Sequence, residues 1–68
     1  MNIDIRKSII NNFKDSNLDE IKESIENSIS EGEEITLPGL GVFFELLWKN
    51  TQNKNDILNT IYESINKN

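Results

Sequence analysis

The sequence predicts an all-α fold, a small bundle of about four short helices with an extended Pro/Gly-containing segment between helices 2 and 3. Three observations carry this expectation. Four stretches repeat isoleucine, leucine and aromatic residues at spacings of three and four, the period of one helix face. Asn or Thr stands ahead of three of these stretches and Gly32 closes one of them, as helix start and stop signals do. The one alternating stretch, residues 34–37, has no second stretch of comparable quality to pair with as a strand. A chain of 68 residues makes one domain, residues 1–68, with a modest core.

The first helix is expected over residues 3–13. Ile5, Ile9, Ile10 and Phe13 share its face, Asn2 serves as N-cap, and Asp4 favours the first turn through the helix dipole. In the second, Asn17 and Glu20 form a capping box. Leu18, Ile21, Ile25 and Ile29 make a narrow stripe, and Gly32 supplies the left-handed residue that ends the helix. The fourth is expected over residues 54–66. Ile57, Leu58, Ile61, Tyr62 and Ile65 are its apolar face, Thr51 or Asn53 its cap, and the last two residues should fray.

Between helices 2 and 3 lies "EEITLPGLG". Pro38 pushes Leu37 towards an extended conformation, so this stretch is expected to be an extended arm with a proline–glycine turn. The third helix should then start at residue 41 or 42 and end at 49 or 50. At about 100° per residue, Val42, Phe43, Phe44, Leu46, Leu47 and Trp48 cover roughly two-thirds of its circumference, more than an ordinary surface helix needs. Glu45 and Lys49 form an i,i+4 pair on the remaining ridge. Such a helix is either central in its domain or faces both a core and a partner.

Composition removes several function classes. There is no cysteine, so disulfides and thiolate metal sites are excluded. There is no histidine, the commonest general base and imidazole ligand. Glu33 and Glu34 are adjacent, but neighbouring acids in a loop are ordinarily just solvated, and no other polar group is placed to tune them. No catalytic residue, cofactor or metal is expected. The net charge is −5, and residues 17–36 hold seven acids against Lys22 while residues 37–50 and 51–68 are each neutral. Seven scattered basic residues make no patch for a phosphate backbone. The first ten residues lack the pattern of a signal peptide, and no apolar run approaches membrane-spanning length. A soluble, cytoplasmic chain with no membrane partner is expected.

Two further features complete the reading of the residues. The turn at Pro38, Gly39 and Gly41 leads into a helix N-terminus, where free amides can hold an anion, but the lysine and Ser/Thr of a phosphate loop are absent. A structural turn is the favoured role. Eleven isoleucines, eleven asparagines and no alanine fit an AT-rich coding sequence.

The start "MNIDIRKSII", the middle "SISEGEEITLPGLGVFFELLWKN" and the total length together resemble the small acid-soluble spore proteins of the I type, minor proteins of endospore-forming Firmicutes. The resemblance covers nearly the whole chain and is most specific in "GEE" followed by "LPGLGVFFELLWKN". It implies a protein made in the forespore compartment and kept in the spore core, connected with sporulation or dormancy. It brings no assigned catalytic residues. The α/β-type spore proteins that coat DNA are a different family, and their activity does not come with the name. The echo of the "GFGTF" strand of histone-like HU proteins is faint, because the basic arm that follows there is missing here.

The functional expectation is a non-enzymatic protein that binds or self-associates, forming a homo-oligomer through helix 3. Its expected surface is Leu37, Leu40, Phe43, Phe44, Leu47 and Trp48. The alternative is a nucleic-acid accessory protein touching DNA weakly through Arg6, Lys7 and Lys14. Anion binding at Pro38, Gly39 and Gly41 is a third reading, for which dipicolinate is the natural test ligand.

Overall fold

Helix ends are set by local chemistry. In the computed structural model, which describes residues 4–67, α1 spans Ile5–Phe13, α2 Leu18–Glu31, α3 Leu37–Asn50 and α4 Lys54–Lys67. No strand occurs among the described residues. Asp4 caps α1 by accepting the Lys7 amide at 3.0 Å, so the cap falls there; Asn2 lies outside the described residues. The capping box of α2 forms in both directions, Glu20 N to Asn17 Oδ1 at 2.8 Å and Asn17 N to Glu20 Oε1 at 3.5 Å. Gly32 closes α2 at φ 62°, where a Cβ would be strained. Asn53 accepts the Asn55 amide at 3.2 Å as α4 begins. Lys67 remains helical, and Asn68 lies outside the described residues.

The segment before α3 corrects the sequence reading. It is not an extended arm with a proline–glycine turn: Glu34–Thr36 is a 3-10 turn, and α3 begins at Leu37 with Pro38 in its first turn. Proline fits there because its missing N–H would be unsatisfied anyway and its φ is already helical. Leu37 takes φ −59° and ψ −41° despite the usual effect of a following proline. The 3-10 turn has already set a helical path, and the Leu37 amide donates to Glu34 O. The Thr36 hydroxyl donates to Glu33 O at 2.7 Å, with Ser28 O at 3.4 Å, tying this turn to the end of α2. Gly39 and Gly41 are therefore helical residues, and Gly32 is the only described glycine with positive φ.

The two helical glycines differ. A Cβ on Gly39 would meet Ile9 Cδ1 at 3.7 Å, so α1 passes close to α3 there. A Cβ on Gly41 would meet nothing within 4 Å. Gly41→Ala should therefore stabilise the fold by about 0.5–1 kcal/mol, the propensity difference in a helix interior. A thermal melt followed by circular dichroism should show a higher midpoint; a fall would mean Gly41 has a role that its surroundings do not display.

α3 is the centre of the molecule. Phe13 on α1 meets Phe43 edge-to-face, with centroids 5.2 Å apart at 67°, a favoured geometry for aromatic pairs. Val42 is the one buried side chain among the described residues, at 5% exposure. α1, α2 and α4 contain none. The bundle is consequently open. Its accessible surface is 6052 Å², whereas a compact monomer of 7.9 kDa would expose about 4,400 Å². Its radius of gyration is 13.5 Å against roughly 11 Å for a compact chain of this length.

Candidate interaction surface

The six apolar residues expected to form one surface are divided by α3 between its two sides. Phe43 faces α1 through the pairing with Phe13. Leu40 lines a hollow with Ile5, Ile9 and Phe13, so it too serves the contact between α1 and α3. Phe44 and Leu47, further along the helix, line a groove towards α4 instead, and Trp48 stands beside Phe44. Phe44 is 42% exposed and Leu47 52%, and the Phe44 and Trp48 rings lie side by side, 6.0 Å apart and tilted by 33°. Leu37, at the start of the helix, is 59% exposed.

α4 completes this outer face. The Lys54 ammonium lies 5.6 Å from the centre of the Trp48 ring, within the range of a cation–π contact, and donates to Thr51 O at 3.1 Å. That bond satisfies a carbonyl in the connection after α3 and anchors the start of α4 beside Trp48. Further along, Phe44 and Leu47 of α3 share an open groove of about 380 Å³ with Asp56, Ile57, Thr60 and Ile61 of α4. Sequence periodicity identifies each helix's apolar face, but it carries no signal that these two faces line one groove. Lys54 over Trp48 is likewise missed, because a cation–π contact between neighbouring helices has no spacing rule.

The adjoining ridge of α3, where Glu45 and Lys49 line a hollow with Phe44 and Trp48, carries an ion pair that sequence reading assigns wrongly. Glu45 was expected to pair with Lys49; instead it accepts from Arg6 of α1 through both carboxylate oxygens, Nε to Oε2 at 2.6 Å and Nη2 to Oε1 at 2.8 Å. A guanidinium matches a carboxylate in this two-bond geometry better than an ammonium does. The hydrogen bonds from Arg6 hold the Glu45 carboxyl below its ordinary value of 4.5, against an opposing effect of desolvation, with the charge of Arg6 adding to the lowering. The same bonds raise Arg6. Because the Glu45 pKa is lower in the folded state, its contribution to stability is present above about pH 4.5 and is lost as pH falls through the folded-state value. Glu45→Gln should therefore remove part of the acid limb of the stability profile and weaken the fold at pH 7 more than at pH 3. Urea unfolding at the two pH values checks this, and an equal loss at both would contradict it.

The pairing also bears on the basic residues of α1. Of Arg6, Lys7 and Lys14, Arg6 has its charge engaged by Glu45, which leaves exposed Lys7 on the nine-residue helix and exposed Lys14 at its C-cap. At the start of α3, Pro38 and Gly39 lie in the first turn, with Gly41 following. The hollow in front of this turn is lined by Glu33 and Glu34 together with Gly32, Thr36 and Leu37. Two carboxylates beside a helix N-terminus complement the dipole themselves and oppose an incoming anion. No described helix is long and apolar enough to cross a membrane.

Comparison with known proteins agrees along the whole chain. The family model described as "Small, acid-soluble spore protein I" matches residues 3–65. A protein of that name from Bacillus cytotoxicus is 37% identical over 67 residues, covering 96% of each chain. Another from Bacillus mycoides is 36% identical over 69 residues, covering 98% of this chain and all of the relative. No solved structure matches. The match runs through all four helices and includes the central segment on which the outer face is built, and the chain belongs to the small, acid-soluble spore protein I family.

Proposed function

We propose that this is a non-enzymatic protein of the spore core, made in the forespore, that acts by self-association through the outer face of α3. The observation that carries the reading is the imbalance between buried and exposed apolar surface. One side chain is buried among the described residues, while Phe44 and Leu47 stand exposed beside Trp48. The chain exposes about 1,600 Å² more than a compact monomer of its mass, and a standard interface covers about 800 Å² per partner. A second copy would therefore cover about half of the excess. Small chains commonly complete their cores this way, and aromatic residues favour interface centres.

Charge supports the same arrangement. The acids are concentrated in residues 17–36, whereas residues 37–68 are neutral overall, so two copies can approach through α3 without like-charge repulsion. The charge count also gives acid solubility a physical cause. Protonating the twelve carboxyl side chains leaves seven Lys and Arg positive, a larger net charge in acid than the −5 at neutrality, and charge of either sign keeps a protein dispersed.

Trp48→Glu tests the reading. It places a charge at the proposed contact, and the variant is expected to retain its helicity but elute as a monomer by size-exclusion chromatography with light scattering. A folded Trp48→Glu chain with the mass of the wild-type assembly would contradict it.

A further inference from the structure

We propose that the chain carries a second docking surface, separate from the outer face of α3: the hollow where the end of α2 meets the start of α3 receives a cationic, amphipathic segment of another protein. Ile29 of α2 and Leu37 of α3 line this hollow of about 280 Å³. Both are largely exposed, Ile29 at 64%. The Thr36 hydroxyl, which donates to Glu33 O at 2.7 Å with Ser28 O at 3.4 Å, joins the two helix ends. The hollow is thus already formed in the free chain, and little ordering is needed to fill it. An aliphatic side chain that enters it removes Ile29 and Leu37 from water, the favourable change that exposed apolar surface offers a partner.

Charge states what kind of segment fits. Glu33 and Glu34 belong to the lining of the hollow itself. At Ser28 it adjoins a second hollow, of about 360 Å³, whose lining includes Glu23 and Glu31. Carboxylates therefore border the apolar surface both in its own lining and across Ser28. Residues 17–36 contain one cation, Lys22, and its contact is with Glu26, exposed and 3.9 Å away. Among the described residues, none of Glu23, Glu31, Glu33 and Glu34 has an ion-pair partner. The partial positive charge of the α3 N-terminus, about half a unit, offsets only part of this negative charge.

These observations select among occupants. A phosphate backbone or an anionic lipid surface would meet like charge here. A second copy would bring a net charge of −5 against the same acids. A metal ion is not the ligand, because no described group of acids is arranged to hold one. A segment in which lysine or arginine flanks leucine or isoleucine satisfies both parts of the surface. Its apolar side chains cover Ile29 and Leu37 while its cations reach the carboxylates, as amphipathic helices do when they seat in an apolar groove. The exposed charges then set partner choice and encounter rate, and the apolar contact supplies most of the strength.

Nuclear magnetic resonance titration of the full isotope-labelled chain with a defined probe tests the proposal. The probe is a short synthetic peptide of leucine and lysine whose leucines fall on one helix face. Amides of residues 28–37 should shift, and the dissociation constant should rise with salt. Ile29→Ser, at a side chain that is already exposed, should keep wild-type helicity and weaken binding about tenfold, as loss of an apolar anchor does. Glu33→Gln combined with Glu34→Gln should weaken it about fivefold at low salt, the scale of two exposed charge pairs. Glu63→Gln on α4 should bind as the wild type does. The proposal is overturned by an absence of shifts at millimolar peptide, by equal binding of a peptide with glutamate in place of lysine, or by shifts gathered on residues 44–61 instead. A scrambled lysine peptide that bound as tightly would reduce the surface to bulk acidity and would also overturn it. Dilution of the chain alone checks for a second copy. If the amides of residues 28–37 moved with protein concentration in the absence of peptide, the occupant would be another copy of this chain and the proposal would fall.

Discussion

Phe43→Ala should lower the stability of the fold by about 2–3 kcal/mol, combining the loss of a large partly buried ring with the loss of an edge-to-face pair. In a domain of 68 residues, that is much of the roughly 3–5 kcal/mol a single small core supplies. Phe13 and Phe43 form the aromatic contact between α1 and α3. Without it, α1 would be held by the exposed Arg6–Glu45 pair and the approach of Ile9 to Gly39. Urea unfolding at one fixed protein concentration measures the change. A shift below about 0.5 kcal/mol, the range of an ordinary surface substitution, would show that Phe43 does not hold α1.

The neighbouring substitution should act differently. Phe44→Glu places its charge on the outer face, beside Trp48 and opposite Ile57 and Ile61, and the expected result is a folded monomer. The thermal midpoint distinguishes this from simple destabilisation. Association stabilises the folded state by mass action, so a self-associating wild type should melt higher as its concentration rises. The Phe44→Glu midpoint should be independent of concentration over the same range. Two adjacent phenylalanines would then report two separate contacts, one within the chain and one between chains. A Phe44→Glu midpoint that still climbed with concentration would locate the contact elsewhere.

What the sequence discloses follows from the range of each interaction. The capping box at Asn17 and Glu20 and the left-handed Gly32 are readable because both partners lie within a few residues. The apolar stripes are readable for the same reason, and they yield the four helices. The start of α3 is misread because two local rules compete. Proline disfavours a helical residue before it, yet it is also well suited to a first turn. The 3-10 turn at Glu34–Thr36, tied to α2 through Thr36 and Ser28, decides between them, and that tie is not visible as a pattern.

The surface shows the same division. Phe43, Phe44, Leu47 and Trp48 are legible as apolar residues on one very hydrophobic helix, and Leu37 and Leu40 as apolar residues of the segment before it. Which of them faces α1 depends on where Phe13 and Ile9 arrive. The Arg6–Glu45 pair spans 39 positions, so Lys49, at the favourable i,i+4 spacing, is the partner that local reasoning selects. The groove shared with Ile57 and Ile61 depends on the turn at residues 51–53, which sets where these α4 residues come near Phe44 and Leu47. Helix geometry is local here, and the meeting of faces is not.

The open packing around α3 gives the central claim its most direct measurement, sedimentation equilibrium of the wild-type chain at neutral pH and high micromolar concentration. The account predicts a mass twice the 7.9 kDa of one chain, falling towards a single chain on dilution. A single species of 7.9 kDa at the highest concentration would contradict it.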